Sequence, residues 1–218
     1  MSIPDNNVDQ TIDRLVAEMR PVRRVWSPAK RSLVWIGLAL TVMIGLIWRM
    51  GAMRGLAKEF TRATNTIELL AATATGVLAL VAAFYLTMPD RSPRWAWLPV
   101  PTLVLWIGAT CFACVQTAVD RGVAALFQKV GWPCFVFIAV VSIPLGIALL
   151  LVMRRGAPTE PVRTAMLGGL GVSALAAAAL HAFHPFDGGL GDTGMHVVAI
   201  LAIVAAFGAL GRPALDRM

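Results

Sequence analysis

Cys111 and Cys114 stand three residues apart, a spacing that puts both thiols on one face if the segment is helical. Cys134 opens the next apolar stretch, and His181, His184 and His196 gather with Asp187 and Asp192 further along. Thiols and imidazoles are the ligands that zinc, copper and cadmium prefer, and thiols facing an oxidising compartment form disulfides. Two chemistries follow: redox or metal sensing by Cys111, Cys114 and Cys134, and metal ligation by His184, Asp187 and His196. The rival in each case is structural. Cysteine packs in buried helices as a small hydrophobe, histidines cap helix ends, and Asp187 sits in what could be an ordinary turn. The C-x-x-C pair is not thioredoxin-like, because no βαβ pattern surrounds it.

Whether these residues meet depends on the elements that carry them. The chain has 218 residues, 58% of them hydrophobic and only 14% charged, and its mean hydropathy is +0.73. That is more apolar surface than a soluble domain of this size can hide. The net charge of +7 is scattered in short clusters between apolar stretches, which argues against a nucleic-acid-binding stripe and for the loops of a membrane protein. With about 20 apolar residues needed per crossing, six spans are expected at 32–50, 67–88, 96–118, 131–153, 163–183 and 194–211. The fold class is therefore all-α, a polytopic membrane helical bundle. Its parts are a tail (1–31), the six-helix domain (32–211) and a short C-terminal tail (212–218). No secretory signal is expected, since the first apolar stretch begins near Ser32 behind a polar tail and is long enough to remain as an anchor.

Turn chemistry separates the spans at Pro89-Asp90-Arg91-Ser92-Pro93, Arg154-Arg155-Gly156-Ala157-Pro158 and Pro185-Phe186-Asp187-Gly188-Gly189. Gly168, Gly169, Gly171, Ser173 and the alanines at 176–179 should let the fifth helix approach its neighbours closely. Pro99, Pro101, Pro133 and Pro144 lie in or at the ends of spans, where neighbouring helices tolerate them. No internal repeat points to an inverted-repeat transporter.

Positive residues are retained on the cytoplasmic side. With six spans and the N-terminus inside, thirteen of the 19 Lys and Arg fall on the inner side and six on the outer. Arg49, Arg54, Lys58 and Arg62 are the dissenting cluster. Both termini are thus expected in the cytoplasm, which sends the third helix outward and brings every cysteine and histidine to the outer side. Glu68 and Gln116 lie nearest the membrane interior, each close enough to a span end to reach water, and neither is assigned a proton relay.

The tail carries its own signal. Val8, Ile12, Leu15, Val16 and Met19 fall at helical spacing, with Asp9, Asp13, Arg14 and Glu18 elsewhere, and Pro21 stops the pattern. A helix this short is marginal alone in water, so its stripe needs a surface. Membrane lipid is one, although the acidic residues fit it poorly; a groove on a soluble partner is the other. The basic run Arg20, Arg23 and Arg24, followed by Trp26, is in either case a positive flank with an aromatic at headgroup level.

Four segments carry a family resemblance: Glu18-Met19-Arg20-Pro21-Val22-Arg23-Arg24-Val25 before the first span, the Cys134 region, Arg154-Arg155-Gly156-Ala157-Pro158-Thr159, and His184-Pro185-Phe186-Asp187. Together they resemble the NrsF-type family, six-span bacterial inner-membrane proteins that restrain a sigma-F-type extracytoplasmic-function sigma factor. The resemblance implies an anti-sigma factor without catalytic activity, whose tail holds its sigma factor away from RNA polymerase until stress releases it. Ile12, Leu15, Met19, Arg20, Arg23 and Arg24 are then the partner-binding residues, and the partner is a protein, with no direct nucleic-acid contact. The resemblance also implies sensing cysteines for heavy-metal or oxidative stress. Cys134 matches the first such position; the second has no counterpart here, so Cys111 or Cys114 would have to take its place. No resident cofactor is implied, only transient zinc, copper or cadmium, and no oligomeric state follows. The rivals are a small metal or solute transporter, for which the spans offer little beyond Thr41, Thr73, Thr75, Ser142 and Ser173, and a membrane hydrolase with a single metal at the His/Asp loop.

Overall fold

A computed structural model describes residues 5–19, 26–52, 56–127, 131–183 and 189–215, and among them every regular element is helical. Helix α1 (Asp5–Glu18) carries the apolar stripe of the tail. Helix α2 (Pro28–Met50) starts on Pro28, whose fixed φ and missing N–H suit a first helical position. The Ser27 hydroxyl caps it, accepting from the Lys30 amide at 3.4 Å. Gly51 ends it at φ 80°, a left-handed geometry that favours glycine. A single turn, α3 (Leu56–Glu59), leads to α4 (Ala63–Leu86). A short 3₁₀ stretch (Pro93–Trp97), capped by Ser92, introduces α5 (Val100–Arg121), and α6 (Trp132–Met153), α7 (Pro161–Leu180) and α8 (Leu190–Leu215) complete the chain.

Six segments are long and apolar enough to cross a membrane: Pro28–Met50, Ala63–Leu86, Pro93–Arg121, Trp132–Met153, Pro161–Leu180 and Leu190–Leu215. They match the six expected spans, with ends shifted by a few residues. The start of the first moves back into the tail, so Arg31 belongs to the opening turn of α2.

Helix α7 is the hub, packed on α8, α4 and α6. It is the least apolar span, with a mean hydropathy of 1.4, yet 72% of it is buried, against 39% for α6 with a mean hydropathy of 2.9. In lipid the hydrophobic effect does not drive helices together; close packing does, and small residues permit it. Gly171 of α7 meets Gly76 of α4 at this crossing. A Cβ on Gly171 would lie 2.5 Å from Leu80 Cγ and 3.2 Å from the Gly76 carbonyl oxygen. A Cβ on Gly169 would come within 3.0 Å of Phe207 on α8. The expectation that the Gly/Ala-rich fifth span is an interface helix is thereby met.

Three of the span hydroxyls turn back on their own helix. Thr41 donates to Gly37 O at 2.8 Å, Thr75 to Ala71 O at 2.7 Å and Ser173 to Gly169 O at 2.8 Å. Thr75 and Ser173 are buried in packing contacts, so they do not line a polar path.

Arg31 joins the elements at one end. Its guanidinium is buried, donates to the Val152 carbonyl at 2.6 Å and to the Thr87 hydroxyl at 3.3 Å, and lies over the Phe84 ring. The Ala157 amide donates to the Thr87 carbonyl at 2.9 Å, and a Cβ on Gly211 would touch Val162 Cα at 2.7 Å. The starts of α2 and α7 therefore share one end of the bundle, the tail end, with the last turns of α4, α6 and α8. The far end holds the starts of α4, α6 and α8.

Candidate functional site

The first turn of α8 packs on α6 and approaches α5 at the far end. Thr193 Oγ1 lies 4.0 Å from Cys114 Sγ on α5. The preceding residue, Asp192, is buried and close enough to Cys134 on α6 to act on it electrostatically. It also sits against Gly131, where a Cβ would come within 2.5 Å of its carboxylate. One turn of α8 thus touches both cysteine-bearing helices, and His196 follows on its next turn. Cys134 is 2% exposed, Cys114 is partly buried and Cys111 is exposed; all three are free thiols.

The cysteines predicted from sequence to share one end do occupy the same half of the bundle, but in different surroundings. Cys114 and Cys134 flank the start of α8, whereas Cys111 faces a crevice beyond it. Of the three candidate metal ligands His196 is described; His184 and Asp187 lie outside the described residues. Among the described residues no three His, Cys, Asp or Glu side chains are grouped to hold a metal ion. The burial order is testable. A small membrane-permeant maleimide should modify Cys111 first and Cys134 last, with at least a tenfold spread in rate, read by mass spectrometry of the full-length chain in native membranes.

At the other extreme of the chain, Ile12, Leu15 and Met19 are 50%, 60% and 71% exposed. An Arg14–Glu18 ion pair at 3.2 Å spans one turn of the same helix. Both side chains are largely exposed, so its contribution is small. Arg20, Arg23 and Arg24 lie outside the described residues.

Sequence reasoning missed the crevice between α5 and the α7–α8 pair, a cavity of about 970 Å³. Glu68 of α4 reaches into it and accepts from the Thr110 hydroxyl of α5 at 2.9 Å. Distance from the span end had suggested a carboxylate that reaches water; the structure directs it at a neighbouring helix. An ionisable residue within a span is a functional candidate by default, and that signal would have singled out Glu68. Thr110 carried no comparable mark.

Residues 15–217, nearly the whole chain, match the family described as NrsF, negative regulator of sigma F. The chain belongs to the NrsF family. Comparisons with curated proteins and with solved structures give no match. As an NrsF protein it is a negative regulator of sigma F, built on six apolar helices of membrane-spanning length. The NrsF match begins at Leu15, inside α1, so it takes in Leu15, Met19 and the basic run but not Ile12.

Proposed function

We propose that this chain is a membrane-held anti-sigma factor of the bacterial inner membrane, with both termini in the cytoplasm. Its tail sequesters a sigma-F-like extracytoplasmic-function sigma factor. The observation that carries the reading is α1: an amphipathic helix whose apolar stripe stays exposed, standing just before the first span of an NrsF chain. Ile12, Leu15 and Met19 supply the apolar face that enters a groove on the sigma factor. Arg20, Arg23 and Arg24 add charge-assisted bonds to it. The regulator catalyses nothing and touches no nucleic acid.

The signal is heavy-metal or oxidative stress at the periplasmic end. Cys134 with Cys114 or Cys111 takes part, with His184, Asp187 and His196 as further ligands for transient zinc, copper or cadmium. Cys114 and Cys134 both border the first turn of α8, so a change at either thiol alters how α8 seats on α6 and approaches α5. To release the sigma factor, the signal must favour one helix arrangement over the other; a signal binding both equally shifts nothing.

Full-length chain in detergent, mixed with the sigma factor encoded in the same cell, tests the first half. Retention is expected for the native chain and at least a hundredfold weaker retention for the Leu15→Asp/Met19→Asp double variant, since two charges would have to be buried in an apolar groove. Equal retention by both would remove the tail from the mechanism.

A further inference from the structure

The crevice beside α5 has the attributes of a ligand site in its own right. Helices α5 and α8 make no extensive contact with each other, while each packs firmly on other helices. The gap between them therefore opens sideways toward lipid. Its walls are apolar along most of their length, with Leu103 and Ile107 on α5 facing Ile200 and Val204 on α8. From Thr110 back to Val100, where α5 starts, the wall runs 10 residues, about 15 Å at helical rise, enough for a dodecyl chain.

The polar groups stand at its two ends. Toward the far end stand Glu68, Thr110, His181 and His196. At the tail end Thr159, Glu160, Arg163 and Arg212 border it, with the Arg163 guanidinium held by Glu160 at 2.7 Å. Glu68 differs. Its partner among the described residues is the Thr110 hydroxyl, one donor for a carboxylate that can accept several. In a low-dielectric wall a carboxylate stays ionised only with a cation beside it. Trp106, one turn before Thr110 on α5, borders the same space, and an indole ring is the other kind of surface that attracts an organic cation.

We propose that this crevice binds a single-chain cationic amphiphile from the far leaflet, its ammonium head at Glu68 and Trp106 and its alkyl chain between Leu103, Ile107 and Val204. Glu68 lies five residues into α4, about 7 Å below that helix end. That depth suits a head group whose chain points toward the bilayer centre. The site does not depend on any sensing role of the thiols.

The test uses the full-length chain in phosphatidylcholine nanodiscs and tritiated dodecylamine as probe, with empty nanodiscs as reference. Saturable binding of one probe per chain is expected, displaced at least tenfold better by unlabelled dodecylamine than by dodecanol or dodecyl sulfate. Glu68→Gln should erase that tenfold preference while leaving the chain folded, and Leu103→Trp, which fills the crevice, should remove binding altogether. Probe uptake equal to empty nanodiscs would overturn the proposal. So would equal displacement by all three head groups, an undiminished preference in Glu68→Gln, or a dimer that seals the crevice with a second copy and excludes the probe.

Discussion

Gly171→Leu is expected to leave the bundle unfolded at temperatures where the native chain survives. The backbones of α4 and α7 approach at Gly76 and Gly171, and the space that a first side-chain carbon would need is already taken by Leu80. Leu80 is itself fully buried, so it has nowhere to retreat. Overpacking a tight core typically costs 1–3 kcal/mol; a whole leucine at the central crossing should reach the upper end, roughly 3 kcal/mol. Thermal unfolding of the full-length chain in detergent, followed by loss of helical circular dichroism or by aggregation, measures it. Gly108→Leu is the control. Gly108 lies on the exposed face of α5 with nothing within 4 Å of a Cβ, so the same substitution there should change stability by less than about 0.5 kcal/mol. Similar losses at both sites would mean that an added leucine costs stability wherever it stands in the bundle, and that the crossing is not special, since helix propensity alone favours leucine over glycine.

That crossing shows where sequence reading succeeds in a membrane protein and where it stops. The six spans were legible because lipid demands long apolar runs, and turn residues mark their limits. The interface role of α7 was also legible, since Gly168 to Ala179 has little else to recommend it as a span. The reading of the fifth span did not say which helix would meet it, although Ala72, Gly76, Ala79 and Ala83 place small residues along the buried side of α4. The same gap explains Glu68. Its distance to the helix end could be counted along the chain, but the facing residue, Thr110, lies 42 positions away and belongs to another helix. The cysteines were rightly brought to one half by counting spans, yet their separation into a buried Cys134, a partly buried Cys114 and an exposed Cys111 required the rotation of each helix about its axis. Arg31 was misleading in another way: it reads as one more positive charge flanking a span, and among the described residues it is the least exposed charge at that end.

Arg31→Leu should cost about 2 kcal/mol and, with it, communication between the bundle and the tail. A cation in the first turn of a helix opposes the helix dipole. Arg31 escapes this by turning sideways to the last turns of α4 and α6, where carbonyl groups and the negative dipole ends lie, bonding Val152 O and the Thr87 hydroxyl. Removing a charged donor from buried partners costs roughly 1–3 kcal/mol. Arg31→Lys should recover only part of this, because a single ammonium cannot span both acceptors as the planar guanidinium does. Lys30→Leu, at the exposed neighbour, should leave the melting temperature unchanged. The functional consequence follows from how little else holds α2. Only 17% of that span is buried, and its one substantial neighbour is α4, so Arg31 is its direct tie to α6, the helix that bears Cys134. In the proposed mechanism a shift of α6 reaches the tail through this guanidinium. The expected behaviour of Arg31→Leu is therefore unaltered capture of the sigma factor in the pull-down, combined with failure to release it when cells meet cadmium or an oxidant. Normal release by the variant would show that the signal travels through α4 and α7 instead.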